Sequence, residues 1–359
     1  MRTRREAPRS LFLDAMSLLS RINAAERYQA NHRAIAIWLA CVAALVFIMV
    51  VVGGLTRLTE SGLSITEWKP VTGVLPPMSE EHWQKEFDLY RQIPQYQLIN
   101  KGMSLAEFKT IYWWEWSHRF LGRLIGLAFF LPFVWFLVTR RVERALLPRL
   151  IGLFVLGGMQ GVLGWWMVMS GLTERTEVSQ YRLAAHLGLA TLIYMALVWT
   201  VLDLMRGKAS RALDGIAKAA LALVAFVFLQ TILGAFVAGL RAGAVYNTWP
   251  LMDGAWVPEG MMRLAPLWHN FFENHLTVQF QHRIAAYLLI LAAAWHWFAA
   301  RRTQAAQGAG LLLLAIVAQA SLGIWTVLWA VPIPLGAAHQ AGALIVLTVA
   351  LAHAHRVMR

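Results

Sequence analysis

A chain of 359 residues in which 58% of positions are hydrophobic and only 14% charged, with a mean hydropathy of +0.53, does not read as a soluble enzyme, because soluble domains carry roughly a quarter charged residues. Its net charge of +13 would suit nucleic acid, yet no basic patch interleaved with aromatic residues occurs, and the arginines gather at the ends of apolar runs. The single cysteine, Cys41, excludes an internal disulfide and a thiol redox pair.

In chain order, residues 1–33 form an arginine-rich segment with a short amphipathic stretch, LFLDAMSLLSRI (11–22), suited to the inner membrane surface. A basic amphipathic start of this kind also resembles a mitochondrial presequence. Apolar runs near the ~20 residues needed to cross a bilayer then follow at 34–54, 115–138, 150–170, 182–203, 216–238, 277–298, 309–330 and 336–355. The expected fold is an all-α integral membrane protein with eight transmembrane helices. With both termini cytoplasmic, 19 of the 32 basic residues lie on the inner side, as the positive-inside rule requires. Tryptophans such as Trp113, Trp114, Trp116, Trp165 and Trp166 fall at the expected interfaces and read as an aromatic belt.

Two connections, 55–111 and 239–275, are long and fall on the outer side. They share a Gly-Leu entry and a later Trp and Pro, in GGLTRLTESGLSITEWKP (53–70) and AGLRAGAVYNTWPLMDG (238–254). Within the first, EEHWQKEFDLYRQI (80–93) and SLAEFKTIYWW (104–114) have the apolar spacing of helices lying on the membrane and forming a lid.

The spans repeat. Odd-numbered spans carry QGVLG (160–164), QTILG (230–234) and QASLG (319–323), and the first span offers MVVVG (49–53) in their place. Even-numbered spans carry a histidine near their outer end: His118 in WEWSHR, His186 in YRLAAHLG, His282 in VQFQHR and His339 in PLGAAHQAG. The unit is a helix pair used four times, giving two pseudo-symmetric four-helix bundles over 34–204 and 213–357. For the glutamines, interhelical hydrogen bonding with the glycine allowing close approach is expected ahead of direct chemistry.

Ionisable groups inside a bilayer are costly and mark functional sites. Four histidines at one depth, in two pairs, suit axial ligation of haem iron: His118 opposite His186, and His282 opposite His339. Arg119 and Arg283 then stand where guanidinium groups can pair with propionates. Glu115, three residues before His118, shares its helix face, whereas Gln279 holds that place before His282. A carboxylate there can accept a proton, position a water or stabilise positive charge. His296 and His353 follow His282 and His339 by fourteen residues, about 21 Å deeper on the same face. A second stacked haem would fit that spacing, although both lie where interfacial histidines are common, and Pro132 and Thr200 hold the matching places of the first half. His32, His82, His269, His275 and His355 are terminal, loop or interfacial and are assigned no chemistry. Three functions remain in play: an enzyme acting on haem, a non-catalytic cytochrome b electron carrier, and a proton-coupled transporter.

From about His32 to His355 the chain resembles the haem A synthases, through GGLTRLTESGLSITEWKP, WWEWSHRFLGR (113–123), QYRLAAHLG (180–188), NTWPLMDG (247–254), QFQHR (279–283) and GAAHQA (336–341). The resemblance implies conversion of haem O to haem A, a ring methyl being oxidised to a formyl group in two hydroxylations and a dehydration, with water supplying oxygen. It implies that His282 and His339 bind a haem b cofactor, that His118 and His186 hold the substrate haem, and that Glu115 is the acid/base or cation-stabilising residue. Lacking a cysteine pair in the first outer loop, the chain resembles the cysteine-free branch of proteobacteria and mitochondria, which excludes a thiol relay here. A bacterial inner membrane location, haem sites toward the outer leaflet, and a haem O synthase as neighbour follow as expectations. The electron acceptor is unknown, and a homo-oligomer is compatible with the sequence.

Overall fold

The computed structural model describes residues 7–209 and 214–359, with side chains from Glu26 onward. The amphipathic face expected over 11–22 and the basic residue Arg211 therefore lie outside the described side chains. The helices are α1 (Ala7–Leu58), α2 (Glu80–Tyr90), α3 (Pro94–Leu98), α4 (Leu105–Val138), α5 (Leu147–Met169), α6 (Gln180–Arg206), α7 (Gly215–Gly239), α8 (Asn270–Glu273), α9 (His275–Ala300), α10 (Ala306–Leu328) and α11 (Ile333–Val357). Eight of these, all but α2, α3 and α8, are long and apolar enough to cross a membrane. No strand occurs among the described residues.

Helix starts follow local chemistry. Asp214 caps α7 by accepting from the Ala217 N–H at 2.8 Å, and Asn274 caps α9 at Leu276 and Thr277. At α4, Ser104 and Glu107 form a reciprocal capping box. That cap corrects one expectation. With a strong start at Ser104 and no Gly or Pro until Gly122, SLAEFKTIYWW does not lie on the surface as a separate helix; it is the first three turns of α4, continuous with the span.

The spans pack as two closed rings. In one, α1, α4, α5 and α6 each touch the next, and in the other α7, α9, α10 and α11 do the same. This is compatible with the two pseudo-symmetric bundles expected. The rings meet through α1 and α6 against α7 and α11. At mid-depth that seam is apolar, with Leu39, Leu197 and Leu347 fully buried, each worth roughly 1.5–3 kcal/mol of apolar transfer. Polar ties cross it as well: the Tyr194 and Thr348 hydroxyls lie 2.8 Å apart, and the Gln340 amide donates to Val50 O at 2.8 Å.

One end of the molecule gathers the end of α1, the link before α6 and the end of α7. There Arg57 pairs with Glu177 at 2.6 Å, while Arg241 binds both Glu60 and Glu177. The first long connection is not loose. Trp83, Phe87, Tyr90, Phe108 and Tyr112 form a buried aromatic cluster that fixes α2 against the first turns of α4. The Tyr90 hydroxyl, set between Gln95 and Asn100, is pushed up to about 12 by burial. This aromatic cap holds residues 61–67 over the outer part of α4.

Candidate functional site

Each of the four histidines is seated in the same way. A Cβ at Gly53, Gly164, Gly234 or Gly323 would come within 3.0, 2.9, 3.3 and 2.7 Å of Cε1 of His118, His186, His282 and His339 respectively. Only glycine lets the odd helix approach the imidazole this closely. Each glycine precedes the last residue of its helix, Leu58, Met169, Gly239 or Leu328, by five residues. The four rings therefore share one depth, about 7.5 Å inside the helix ends.

The glutamines one turn before three of those glycines grip the rings. Gln160, Gln230 and Gln319 donate from Nε2 to the carbonyl of His186, His282 and His339 at 3.0, 3.0 and 2.7 Å. The same amide nitrogen of Gln160 lies 3.2 and 3.3 Å from the two ring nitrogens of His186. An atom that far from both cannot lie in the ring plane without colliding with Cε1, so the amide rests on the imidazole face. It fixes the ring plane and leaves the in-plane lone pairs free. The expected interhelical role of the glutamines is what the geometry shows. At His118 the corresponding residue is Met49, and Nδ1 of His118 is buried without a partner.

Within each half the two imidazoles sit at one depth on helices of the same closed ring. No group of three or more His, Cys, Asp or Glu able to hold a metal ion occurs among the described residues. Two opposed imidazoles fit instead an iron whose remaining donors come with it, as in a porphyrin. The orphaned Nδ1 of His118 and the unoccupied in-plane edges fit the same ligand.

Glu115 is buried beside the first pair, and all its acceptor capacity is used. One oxygen, Oε2, accepts from Ser64 Oγ at 2.8 Å and the Ile65 N–H at 2.7 Å. The other, Oε1, accepts from Nε and Nη2 of Arg119 at 3.0 and 2.6 Å. Arg119 also donates to Ile65 O and Glu67 O, so it clamps the loop to the helix. In the second half the polarity is reversed. Gln279 donates to Ala242 O and Tyr246 O at 3.0 and 3.2 Å and accepts from Arg283, which in turn donates to Tyr246 O and Thr248 O. Each loop is built for its own residue: donors face the carboxylate, and carbonyls face the amide. Sequence reasoning singled out Glu115, Arg119, Gln279 and Arg283 but missed Ser64 and Ile65. Their only signal was membership of the GLSIT run, which carries no spacing that points to α4.

The remaining histidines lie elsewhere. His296 and His353 are buried with their Nε2 atoms 2.8 Å apart. Metal–nitrogen bonds of about 2 Å on each side would need roughly 4 Å, so this arrangement has no room for iron, and the stacked second haem is not supported. His355 accepts or donates at Asp203, itself paired with Arg149, and His32 pairs with Glu143, both at the far end of the bundles.

Residues 36–351 match the COX15-CtaA family model, described as Cytochrome oxidase assembly protein. The chain belongs to this family. It is 76% identical over 344 residues, 96% of this chain and 100% of the relative, to a protein of Parvibaculum lavamentivorans (strain DS-1) named Heme A synthase. Proteins of the same name from Rhodopseudomonas palustris (strain TIE-1) and Nitrosomonas eutropha are 56% and 50% identical, covering 89% and 91% of this chain and 88% and 94% of their own lengths. COX15-CtaA membership and the eight apolar helices make this a multi-pass membrane protein of haem metabolism.

Proposed function

We propose that this chain is a haem A synthase in which the first bundle is the reaction chamber and the second holds a resident haem b. The relatives' shared name supports the activity. The observation that carries the division of labour is the contrast between Glu115, held among donors, and Gln279, held among carbonyls, beside otherwise matched histidine pairs.

The reaction balances as two two-electron oxidations in which water supplies the oxygen and an acceptor outside this chain takes the electrons. The ring methyl of haem O and one water give the alcohol, two electrons and two protons; the alcohol and a second water give the hydrated aldehyde with the same yield, and loss of water leaves the formyl group. His118 and His186 hold the substrate haem in this scheme. His282 and His339 fit the resident haem b, which when bound takes up electrons singly. Arg119 and Arg283 keep N–H groups beyond those used on the loops and would pair with propionates.

For Glu115, all four acceptor positions being filled favours electrostatic work over proton abstraction. A carboxylate held by fixed donors is preorganised to stabilise positive charge as electrons leave the methyl carbon. To accept a proton it must first shed a donor. Ser64, whose hydroxyl also has Ile111 O as an alternative acceptor at 3.3 Å, is the donor able to turn away.

The charge distribution supports both termini in the cytoplasm, the sites toward the outer leaflet and a bacterial inner membrane location. A haem O synthase is the enzyme that must supply the substrate; the electron acceptor is unidentified, and a homo-oligomer remains compatible. The test is to coexpress the chain with a haem O source, purify it, extract its haems and weigh them. Haem O, its alcohol and haem A are expected beside haem B. Haem B alone would sink the enzyme and leave the non-catalytic cytochrome b.

A further inference from the structure

The fourfold repeat contains one exception that falls on the proposed substrate site. Three odd helices present a glutamine one turn before the glycine, and in each the amide is anchored on the histidine carbonyl and lies 3.1 or 3.2 Å from Nδ1 of the ring. In α1 that position is Met49, whose thioether cannot donate. Its methyl instead packs toward Gly122, where a Cβ would meet Met49 Cε at 3.0 Å. His118 thus has the glycine notch but no amide holding its ring, and its Nδ1 has no partner.

We infer that Gln160, Gln230 and Gln319 are positioning residues that lock His186, His282 and His339, and that Met49 leaves His118 as the releasable ligand, the side on which the substrate haem opens for loading, turnover and release. This rests on the reading that the four histidines bind haem. The physical basis is loss of restraint. An imidazole held by an amide must break that contact to swing away from iron, whereas the His118 ring has no such amide contact to lose. The arrangement also explains why the resident pair is doubly locked: both His282 and His339 have a glutamine, as a cofactor that must stay bound requires. The substrate pair has one locked and one free ligand, so the macrocycle stays on His186 while the His118 side is exposed beside Glu115.

The test reads ligand exchange rather than conversion. Full-length protein carrying both haems is reduced and mixed with carbon monoxide, and the rate and amplitude of the Soret change are followed, the reacting haem being assigned by parallel samples lacking the haem O source. In the wild type, carbon monoxide is expected to enter the substrate haem and leave the resident one untouched. Met49→Gln is expected to slow that entry about tenfold, and Met49→Leu, which supplies no amide, to leave it within twofold. Conversely, Gln230→Met is expected to open the resident haem to carbon monoxide at least tenfold faster than in the wild type, with its haem content retained. Equal rates for Met49→Gln and Met49→Leu, or a resident haem unmoved by Gln230→Met, would overturn the inference while leaving the enzyme intact. A purified chain that binds no haem in any variant would overturn both the inference and the function on which it rests.

Discussion

Replacing Glu115 by glutamine alters one atom's chemistry in a site where every acceptor is committed. If the new amide turns its oxygen toward Ile65 N–H and Ser64, its NH2 faces the Nε and Nη2 donors of Arg119; if it turns the other way, NH2 faces Ile65 N–H. Either way two donors are set against each other and Arg119 loses its counter-charge. Breaking a buried pair costs about 3–5 kcal/mol. Arg119 keeps Ile65 O and Glu67 O and is about a fifth exposed, so screening brings the cost below that range, to about 2–3 kcal/mol. The histidine seats in Gly53 and Gly164 do not involve the carboxylate, so haem is retained. Conversion falls by about 10²–10³, the usual loss when one preorganised electrostatic group is removed. The assay is haem extraction and mass identification from purified E115Q, with its unfolding midpoint measured alongside. Normal haem A yield would refute the catalytic assignment, and loss of all haem would show that Glu115 is structural. Glu115→Asp separates the contributions: the charge survives, but a side chain one methylene shorter cannot reach Arg119 and Ile65 together, so partial conversion is expected.

Further outcomes follow from the same contacts. His282→Ala is expected to abolish the low-spin b-type spectrum while residual haem O remains extractable; an unchanged spectrum would remove the ligand assignment. Alanine at the four glycines should lower haem occupancy in the order of crowding against Cε1, with Gly323→Ala most harmful and Gly234→Ala least, read as haem per protein by pyridine haemochrome. Phe108→Ala in the fully buried aromatic cap is expected to cost about 3–5 kcal/mol locally and to expose the 61–67 segment to limited proteolysis, with conversion falling although no haem ligand is touched. Gln279→Glu places a carboxylate against Ala242 O and Tyr246 O, so it should destabilise the second half, without conferring conversion there, as seen by haem B loss on warming.

Much of this architecture was legible in the sequence because bilayer crossing forces long apolar runs, and because the repeat states itself four times in His and Gly and three times in Gln. Equal depth of the histidines was readable from their place near the start of each even span, and the glycine notches made it concrete. Less legible was anything set by the long connections. SLAEFKTIYWW carries an amphipathic spacing that a surface helix shares with the first turns of a long one; the capping box at Ser104 decides between them, and its three-residue signature says where a helix starts, not where it ends. Ser64 and Ile65 reach Glu115 across about fifty positions, Ser64 through its hydroxyl and Ile65 through a backbone N–H that leaves no trace in residue type. The fourteen-residue spacing of His296 and His353 was a correct statement about helix phase. It could not reveal that the two rings approach each other closely enough to hydrogen-bond directly.

The halves resemble each other in their histidines, glutamines and glycines, and under the proposed function the departures mark where they do different work. Were both bundles only cofactor cages, nothing would favour a carboxylate among donors in one loop and an amide among carbonyls in the other, since each arrangement is equally satisfied. Nor would one histidine of four lack its glutamine. Both exceptions, Glu115 and Met49, fall on the same ligand: Glu115 lies one turn before His118 on α4, and Met49 lies one turn before the glycine on which His118 rests. A third departure joins the halves at the same place. Gln340, next to His339, is wedged against Gly54 and hydrogen-bonded to Val50, so that the turn of α11 carrying His339 touches α1 one residue from the His118 notch. Under the proposed function, ligand release and the contact between bundles thus converge on one helical turn of α1, facing the turn of α4 that carries Glu115 and His118. That convergence is what an enzyme needs when its substrate is a haem that must be gripped, oxidised and let go beside a second haem that must stay.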